Sequence, residues 1–317
     1  MANARPDNPL ISIVVPVLDE EGCVEELVSR VGDALASENV RYEILFVDDG
    51  SSDGTWARLT ALHAGDPAVK AIRFTRSFGH QAALIAGLHH AKGDAVVTMD
   101  GDLQHPPEFL PTLIKAWREG VDVVNSVRQP PPGSSGGAKE GVSQLFYGVM
   151  RALTAVDVTP AAADFRLMDR KAVDAFNSFE ERFVFMRGLV PWLGFSEAHF
   201  DYEVGTRFAG RSKYGVWRMF RLAVDGVLSF SVVPLRLIAI LGLLTTLFGI
   251  GFGLFALVSY AMGRVGGAGW TSVVVLILVF GGVQLLSLGI VSEYIGRTYE
   301  EVKGRPRYVI ETDTGIE

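Results

Sequence analysis

The residue types best suited to chemistry lie in one short stretch, Val96–Glu108, with the sequence VVTMDGDLQHPPE. Asp100, Asp102 and Gln104 alternate there after an apolar run, and two prolines follow them. Because proline cannot donate to a sheet ladder and restricts the residue before it, these side chains are expected at the carboxyl end of a buried strand. No Lys or Arg occurs between positions 92 and 115 to neutralise the carboxylates. The spacing therefore predicts a Mg²⁺ or Mn²⁺ site shared with a substrate's phosphates.

A second acidic stretch, Val47–Thr55, has the sequence VDDGSSDGT. It imitates the start of a calcium-binding EF-hand loop, but Thr60 stands at the twelfth position, where that loop needs a bidentate glutamate. The sequence therefore argues against calcium. Capping of a following helix by Ser52 or Asp53 is one interpretation, and hydrogen bonds from a ribose or base to carboxylates at the strand end are another. Capping alone leaves the aspartates at positions 48 and 49 unexplained.

Positive charge that could meet a substrate's phosphates is concentrated in the segment RFAGRSKY, which contains Arg207, Arg211 and Lys213. Neither a P-loop sequence nor a Rossmann GxGxxG sequence occurs. A metal ion with two such cations would suit a diphosphate leaving group, whereas the same strip could instead contact anionic lipid headgroups. Arg128 precedes a segment rich in Pro, Gly and Ser, RQPPPGSSGG, which is typical of a mobile flap or of a linker.

The elements that must position these residues predict an α/β fold. From Ile11 to about Val127, short β-rich runs alternate with longer helix-compatible stretches, and the runs are continuously apolar. That pattern is typical of a mainly parallel sheet with helices on both faces, in which ligands bind at the carboxyl ends of the strands. The predicted strands are ISIVVPV, YEILFVDD, VKAIRFT, DAVVTMD and VDVVNSV. A helix over Lys139–Leu153 and a strand and helix in ADFRLMDRKAV are expected to follow.

The apolar fraction of 49% and the positive mean hydropathy exceed the usual values for a soluble protein of 317 residues. The excess lies after Val232, in Leu237–Met262 and Trp270–Ile290, and both runs are long enough to cross a bilayer. We predict two transmembrane helices; a buried helical hairpin in a soluble protein is the alternative. Tyr214–Phe230 interleaves aromatic and basic residues and predicts an amphipathic helix in the membrane interface.

Charge and cysteine content indicate the compartment. Basic residues flank both predicted spans, whereas the loop between them has Arg264 alone, so both termini are expected in the cytoplasm. We find no secretory signal, and the single cysteine, Cys23, excludes an intrachain disulfide and fits a reducing compartment. Small residues in Gly249–Gly253 predict packing of the first span against another helix, in the hairpin or in a homo-oligomer. No nucleic-acid partner is expected.

Together these motifs resemble the family 2 glycosyltransferases, and specifically the polyprenyl-phosphate (dolichyl-phosphate mannose synthase-like) enzymes of the bacterial subgroup with two C-terminal spans. The resemblance covers Val14 to Tyr214 and rests on VVPVLDE, VDDGSSDGT, SFGHQAALIAGLHHAKGDAVVTMDGDLQHPPE, DFRLMDR, RGLVPWLGF and RFAGRSKY. It implies a GT-A fold and the inverting transfer of one sugar from a UDP- or GDP-sugar to a polyprenyl phosphate such as undecaprenyl phosphate, for a cell-envelope glycan.

The resemblance also implies roles for particular residues. Asp100, Asp102 and Gln104 would hold Mg²⁺ or Mn²⁺, and Asp164 would lie near the acceptor, orienting it first and acting as a base second. The catalytic set is then Asp102, Asp164 and Arg128. Residues expected to bind substrate are Pro16, Leu18, Glu20, Val47, Asp49, Asp100, Gly101, Arg128, Arg207, Arg211 and Lys213. Leu18 replaces a common aromatic and Asp19 a usual asparagine, so a guanine base is not implied.

The predicted organisation is a catalytic domain over 1–213, an amphipathic helix over 214–231, two spans within 232–295 (about 235–262 and 270–292) and a cytoplasmic tail over 296–317. Two other functions remain open. A processive polysaccharide synthase would share the GT-A core, although its QxxRW motif is absent. A membrane-anchored nucleotide-sugar binder without catalysis would not need the acceptor-side residues.

Overall fold

The computed structural model describes residues 5–129, 162–179, 181, 186–203, 231–263 and 269–316. The chain divides into two compact units, one comprising 1–219 together with 306–317 and the other comprising 220–305. Some predicted features lie outside the described residues: the helix over Lys139–Leu153, the Pro-rich segment after Gln129, the amphipathic helix Tyr214–Phe230, the loop residue Arg264, and the site residues Arg207, Arg211 and Lys213.

The first unit is built on an eight-stranded mixed sheet of order β7-β5-β6-β4-β1-β2-β3-β8. Strand β6 runs antiparallel to β4 and β5, and β8 runs antiparallel to β3, whereas the remaining pairs are parallel. The mainly parallel α/β architecture is therefore confirmed. The strands are β1 Leu10–Val17, β2 Arg41–Asp48, β3 Val69–Phe74, β4 Ala95–Thr98, β5 Val123–Gln129, β6 Ala162–Asp169, β7 Glu197–Glu203 and β8 Ile310–Thr314.

Helices in the first unit connect these strands and cover the sheet. Strand β4 is fully buried, and Val24, Leu27 and Val31 of α1 pack into the same core, which explains the apolar stripe of that helix. A 3₁₀ turn at Pro107–Phe109 leads into α4, where proline suits the first turn. The helices are α1 Val24–Leu35, α2 Thr55–Gly65, α3 His80–His90, α4 Leu110–Arg118, α5 Arg170–Asn177 and α6 Met186–Trp192.

The second unit contains two long helices, α7 Val233–Ala261 and α8 Trp270–Val302. Val233–Ala261 and Val273–Val302 are long and apolar enough to cross a membrane, and neither is buried within the protein. A helical hairpin inside a soluble core would bury such side chains, yet Leu244, Phe255 and Leu285 are exposed. Helix α8 continues ten residues beyond the predicted end at 292, through a charged final segment.

The C-terminal segment differs from the simple tail that the sequence suggested. Residues after α8 return to the first unit, and Ile310–Thr314 form the edge strand β8 beside β3. The side chains of β8 are mostly exposed, so the apolar pattern that revealed the other strands is weak here.

Candidate active site

The two acidic stretches lie at the same edge of the sheet. Val17 at the end of β1 pairs with Asp48 at the end of β2, and Val14 pairs with Thr98 at the end of β4. Because these three strands are parallel, the loops that follow them converge at one edge. The fold therefore places VDDGSSDGT and DGDLQ side by side, at the position where open α/β sheets bind ligands.

Asp49 is only 4% exposed, and its carboxylate is engaged by the loop after β3. It accepts hydrogen bonds from the Ser77 hydroxyl (2.7 Å), the Phe78 amide (2.6 Å) and the Gly79 amide (3.0 Å). Asp48, at the end of β2, accepts a hydrogen bond from the Ser51 amide at 2.8 Å. The structure thus gives both residues a role in holding loops, while nucleoside binding by Asp49 stays a prediction.

The loops after β1 and β2 are joined by side-chain hydrogen bonds. Asp19 adopts a left-handed φ of 57°, which aspartate and asparagine tolerate better than other residues. Its Oδ1 accepts the Ser52 amide at 2.8 Å, and its own amide donates to the Ser51 hydroxyl at 3.0 Å. Aspartate thus meets the conformational need at a position where the family usually has asparagine. Leu18 beside it is 47% exposed at the same edge.

The other predicted nucleoside-side residues belong to the same joined region. Pro16 of β1 pairs with Val47 of β2, so both lie in the sheet just before the loops. The Glu20 amide donates to the Thr55 hydroxyl at 3.0 Å. Asp53 accepts the Thr55 amide at 3.0 Å, but the N-cap residue of α2 is Gly54, so the predicted side-chain capping by Ser52 or Asp53 is not observed. These contacts position Pro16, Glu20 and Val47 at the ligand edge without showing what they bind.

Gly101 has a packing role. A Cβ at this position would lie 2.7 Å from Cγ1 of Val17 and 3.3 Å from the carbonyl oxygen of Pro16. Only glycine therefore lets the chain between Asp100 and Asp102 lie directly against the end of β1. Its predicted part in substrate binding stays a prediction.

Asp102 and Gln104 close a tight turn. The Asp102 carboxylate accepts the Gln104 backbone amide at 3.1 Å and the Gln104 side-chain amide at 2.9 Å. Leu103 between them has a φ of 61°, which costs a non-glycine residue about 1–2 kcal/mol. Burial of the Leu103 side chain, which is 3% exposed, offsets that cost by about 1.5–3 kcal/mol. The core thus holds the strained turn at the site.

Asp100 has an open oxygen. Its Oδ1 is buried and accepts no hydrogen bond within the described part of the chain. The Nε2 of His80 lies 3.5 Å from Oδ1, and the Nε2 of His105 lies 3.5 Å from Oδ2. A buried carboxylate oxygen without a hydrogen bond costs free energy unless a ligand completes it.

His105 fixes the backbone of Asp100. It stacks on Phe165 with ring centroids 5.0 Å apart, and its Nδ1 accepts the backbone amide of Asp100 at 2.9 Å. The proton of the neutral ring therefore resides on Nε2. Burial lowers the pKa of His105, although Asp100, Asp102 and Asp164 act in the opposite direction. His105 is thus a neutral ring that fixes the start of the DGDLQ turn.

Asp164 of β6 is 7% exposed and lies between two arginines. Arg187 donates to it from Nη2 at 3.1 Å and from Nε at 3.3 Å, and Arg166 lies 3.6 Å away. Burial opposes ionisation of Asp164, but the charges of Arg187 and Arg166 outweigh it and hold the pKa below its usual value. Asp164 is therefore a carboxylate at neutral pH.

His80 lies between Asp100 and Asp164. As the first residue of α3, it lies 3.5 Å from Asp100 and 3.8 Å from Asp164, both measured from Nε2. The metal-side and acceptor-side residues predicted from the sequence thus meet around one imidazole. Sequence reasoning missed His80 and Arg187, although both stand inside motifs that carried the family resemblance. Neither has a spacing relation to Asp164 that would reveal the contact.

Arg128 reaches the same region through β5. It pairs with Tyr202 of β7 and is exposed. Burial raises the pKa of Tyr202 to about 12; the charge of Arg128 acts against that rise, and the charge of Asp100 adds to it. Tyr202 meets His105 edge-on with ring centroids 5.9 Å apart, so β5 and β7 bring Arg128 to the region of Asp100; sequence reasoning also missed Tyr202.

Comparison with known proteins agrees with this geometry. Residues 12–176 match the family model described as Glycosyl transferase family 2. The chain is 38% identical over 300 residues to the SfII prophage-derived bactoprenol glucosyl transferase of Shigella flexneri, covering 95% of this chain and 97% of that relative. It is 40% identical over 308 residues to the uncharacterized glycosyltransferase YkcC of Bacillus subtilis, covering 96% and 94%. A solved structure of a mycobacterial protein is similar in fold, with a TM-score of 0.50, 22% identity, and coverage of 70% of this chain and 75% of that one.

The architecture is that of the GT-A fold. The chain belongs to glycosyltransferase family 2, and it is a glycosyltransferase enzyme. The family resemblance inferred from the motifs is confirmed over nearly the whole chain.

Proposed function

We propose that this protein transfers a single sugar, with inversion, from a nucleoside diphosphate sugar to a membrane polyprenyl phosphate. The observation that carries the proposal is the meeting of Asp100 and Asp164 around His80, because it brings a donor-side and an acceptor-side carboxylate into one site. The bactoprenol glucosyl transferase relative, which matches 95% of the chain, supports a polyprenyl acceptor and makes glucose the first sugar to test.

The proposed cofactor is Mg²⁺ or Mn²⁺, held by Asp100 and Asp102 with Gln104. The donor set fits such a hard cation, since Asp100 Oδ1 is buried without a hydrogen bond and both acids supply oxygen. No described cluster of three or more His, Cys, Asp or Glu residues could hold a metal by itself. That agrees with an ion held by one or two carboxylates together with substrate phosphates. When bound, the ion would neutralise charge that develops on the diphosphate leaving group.

The acceptor needs positioning more than deprotonation. A phosphate monoester has its second pKa near about 6, so it is largely dianionic at neutral pH. Asp164, with its lowered pKa, is correspondingly weak as a base. We infer that Asp164 and its partner Arg187 fix the place where the acceptor's phosphate binds. Arg187 supplies the positive charge that lets an anion approach a carboxylate.

The donor side follows from the joined loops after β1 and β2. Pro16, Leu18, Glu20 and Val47 surround the edge at which a nucleoside would bind, and Leu18 is exposed enough to pack against a base. Arg128 would contact a phosphate beside Tyr202. Contacts of Arg207, Arg211 and Lys213 with the diphosphate are proposed from the family resemblance alone.

The proposed domain plan follows the predicted boundaries, with residues 310–314 added to the catalytic domain. Strand β8 belongs to the catalytic sheet, and both candidate spans lie between it and the rest of that sheet in the chain. Because the chain returns to the catalytic domain after the candidate spans, it must cross the bilayer an even number of times. Two spanning helices that form a hairpin meet this requirement. With basic residues flanking both spans, we propose an inner-membrane protein whose catalytic domain and termini are cytoplasmic.

The test is product analysis with the full-length protein in membranes. UDP- and GDP-sugars, beginning with UDP-glucose, are supplied with undecaprenyl phosphate and MnCl₂, and the lipid extract is examined by mass spectrometry. A single glycosyl residue on undecaprenyl phosphate, lost in Asp102→Asn, is the expected product. A polymer would identify a polysaccharide synthase. Binding of a nucleotide sugar without any product on undecaprenyl phosphate would contradict the proposed acceptor.

A further inference from the structure

The C-terminal strap, Arg307–Thr314, packs against the strand that leads to the active-site loops. Strand β8 pairs with β3, and the Thr75 amide donates to the Val309 carbonyl at 3.1 Å. The Arg307 guanidinium donates to the Phe179 carbonyl at 2.6 Å. These contacts anchor the strap to the catalytic sheet along its whole length.

A β-bulge directs one strap side chain toward the donor loops. Thr312 pairs with Arg73 and Ile310 pairs with Phe74, which leaves Glu311 as the extra residue between them. Bulges commonly redirect a side chain beside an active site. The Glu311 carboxylate lies 3.5 Å from Nε of Arg73.

Arg73 passes that contact to the loop after β2. Its Nε lies 3.6 Å from the buried Asp48, and its Nη2 donates to the Ser51 carbonyl at 3.2 Å. The Ser51 hydroxyl in turn accepts the amide of Asp19 in the loop after β1. Two ion pairs and two hydrogen bonds thus connect Glu311 to both loops that would hold the nucleoside.

A second route is aromatic. Tyr308 stacks on Phe74 with centroids 5.1 Å apart, and Phe74 meets Phe78 edge-on at 5.7 Å. The Phe78 amide is one of the three donors to Asp49, and His80 follows two residues later. The strap therefore supports the loop that presents His80 as well as the loops on the donor side.

We infer that the C-terminal strap is a positioning element of the donor site, and that Glu311 acts through Arg73 on the loops after β1 and β2. This inference rests on the proposed nucleotide-sugar donor. It also explains why a chain that has already passed through two candidate spans returns to the catalytic sheet: the strap completes the support of that edge.

The experiment uses the full-length protein in detergent micelles with MnCl₂. Binding of UDP, or of GDP if UDP does not bind, is measured by calorimetry, and turnover is measured with the matching glucose donor and undecaprenyl phosphate. Glu311→Gln should raise the nucleotide Kd and the donor KM about 2- to 5-fold, the scale of one exposed ion pair. The kcat, the acceptor KM and the Tm should stay unchanged, because Glu311 touches neither the acceptor side nor the core.

Matched variants separate positioning from folding. Asp313→Asn removes the same charge two residues away, where no ion pair is described, and should leave the nucleotide Kd unchanged. Glu311→Asp keeps the charge and should fall between Glu311→Gln and the wild type.

The possible failures are distinguishable. If the wild type binds neither UDP nor GDP, the proposed donor is wrong and this inference falls with it. If the wild type binds and turns over while Glu311→Gln matches it in Kd and donor KM, the positioning role of the strap is wrong and the proposed function stands. If Glu311→Gln lowers the Tm enough to account for its whole loss of nucleotide affinity, the inference is also wrong.

Discussion

Asp49 and Asp100, one from each acidic stretch, are carboxylates whose hydrogen bonding differs sharply. In VDDGSSDGT the carboxylate of Asp49 is satisfied by three donors from its own chain, and Asp53 accepts the Thr55 amide. In DGDLQ one oxygen of Asp100 is buried and accepts no hydrogen bond from the described residues. Asp48 of the first stretch also has a buried oxygen without a hydrogen bond, but Nε of Arg73 lies 3.6 Å from it, so the contrast is between Asp49, which serves as a scaffold, and Asp100, which is left incomplete for a ligand.

The difference shows that burial alone does not identify a chemical role. Asp49 is more buried than Asp100, whose side chain is 36% exposed, yet Asp49 is the residue with its hydrogen bonds completed inside the protein. What distinguishes the two is the source of the compensating groups. Buried polar groups that the fold satisfies stabilise it, whereas those that it leaves open cost stability and await a partner.

The largest expected effect is on catalysis in the second stretch. Asp100→Asn should lower kcat/KM by at least about two orders of magnitude, the usual scale for losing a preorganised electrostatic contact. The Tm should not fall, because the change removes a charge that the described fold leaves partly uncompensated. Initial rates of lipid product and thermal unfolding of the same preparation check this. A normal rate in this variant would show that Asp100 has no role in catalysis.

Removal of divalent metal should have a comparably large effect on the second stretch alone. Excess EDTA should abolish turnover, and MnCl₂ or MgCl₂ should restore it, because the proposed ion is needed by the carboxylates of DGDLQ. The hydrogen bonds of VDDGSSDGT need no ion, so EDTA should change the Tm of the nucleotide-free protein little. Full turnover in EDTA would contradict the proposed cofactor.

The expected effect in the first stretch is on stability. Asp49→Asn would turn an amide group toward the donors from Ser77, Phe78 and Gly79, and each buried donor left without an acceptor costs about 1–3 kcal/mol. The Tm should fall by roughly 5 °C or more. Thermal unfolding beside Asp100→Asn provides the comparison. An unchanged Tm together with lost nucleotide binding would show that Asp49 binds the nucleotide and does not stabilise the fold.

The parts of the fold that the sequence predicted are those set by local pattern. Strands β1, β2 and β4 contain continuous apolar runs because both faces are covered, and β3 and β5 contain shorter β-rich runs, so each was predictable from its own residues. Strand β8 escaped prediction because it is an edge strand with mostly exposed side chains. Its place depends on pairing with β3, which is distant in sequence.

The site divides in the same way. Asp100 and Asp102 were predicted from their spacing in one short motif, whose oxygen ligands suggested a metal and phosphates, whereas Asp164 was predicted from the family resemblance. His80 and Arg187 were missed because their contacts depend on the sheet order β6-β4-β1, which no local spacing encodes. The Asp49 contacts were missed for a similar reason, since its donors come from the loop after β3.

The smallest expected effect concerns Asp164, which shares features of both stretches: its charge is compensated by Arg187 and Arg166, yet it faces the site through His80. Its folded-state pKa lies below the ordinary value of 3.8. A group with a lowered pKa contributes stability above its unfolded value, and that contribution is lost as the pH falls through the folded pKa. Asp164 should therefore leave the Tm independent of pH between about 7 and 5, and contribute to a decline only below about pH 4.

Thermal unfolding of the wild type and of Asp164→Asn from about pH 6 to pH 3 tests this argument, because the variant cannot titrate at that position. The wild-type Tm should fall more steeply with acid, so that the two values converge at the lowest pH. A constant difference would mean that the arginines do not stabilise the charged form. The charge of Asp164 would then be uncompensated by the fold, like that of Asp100. A role for Asp164 as a general base would then be supported.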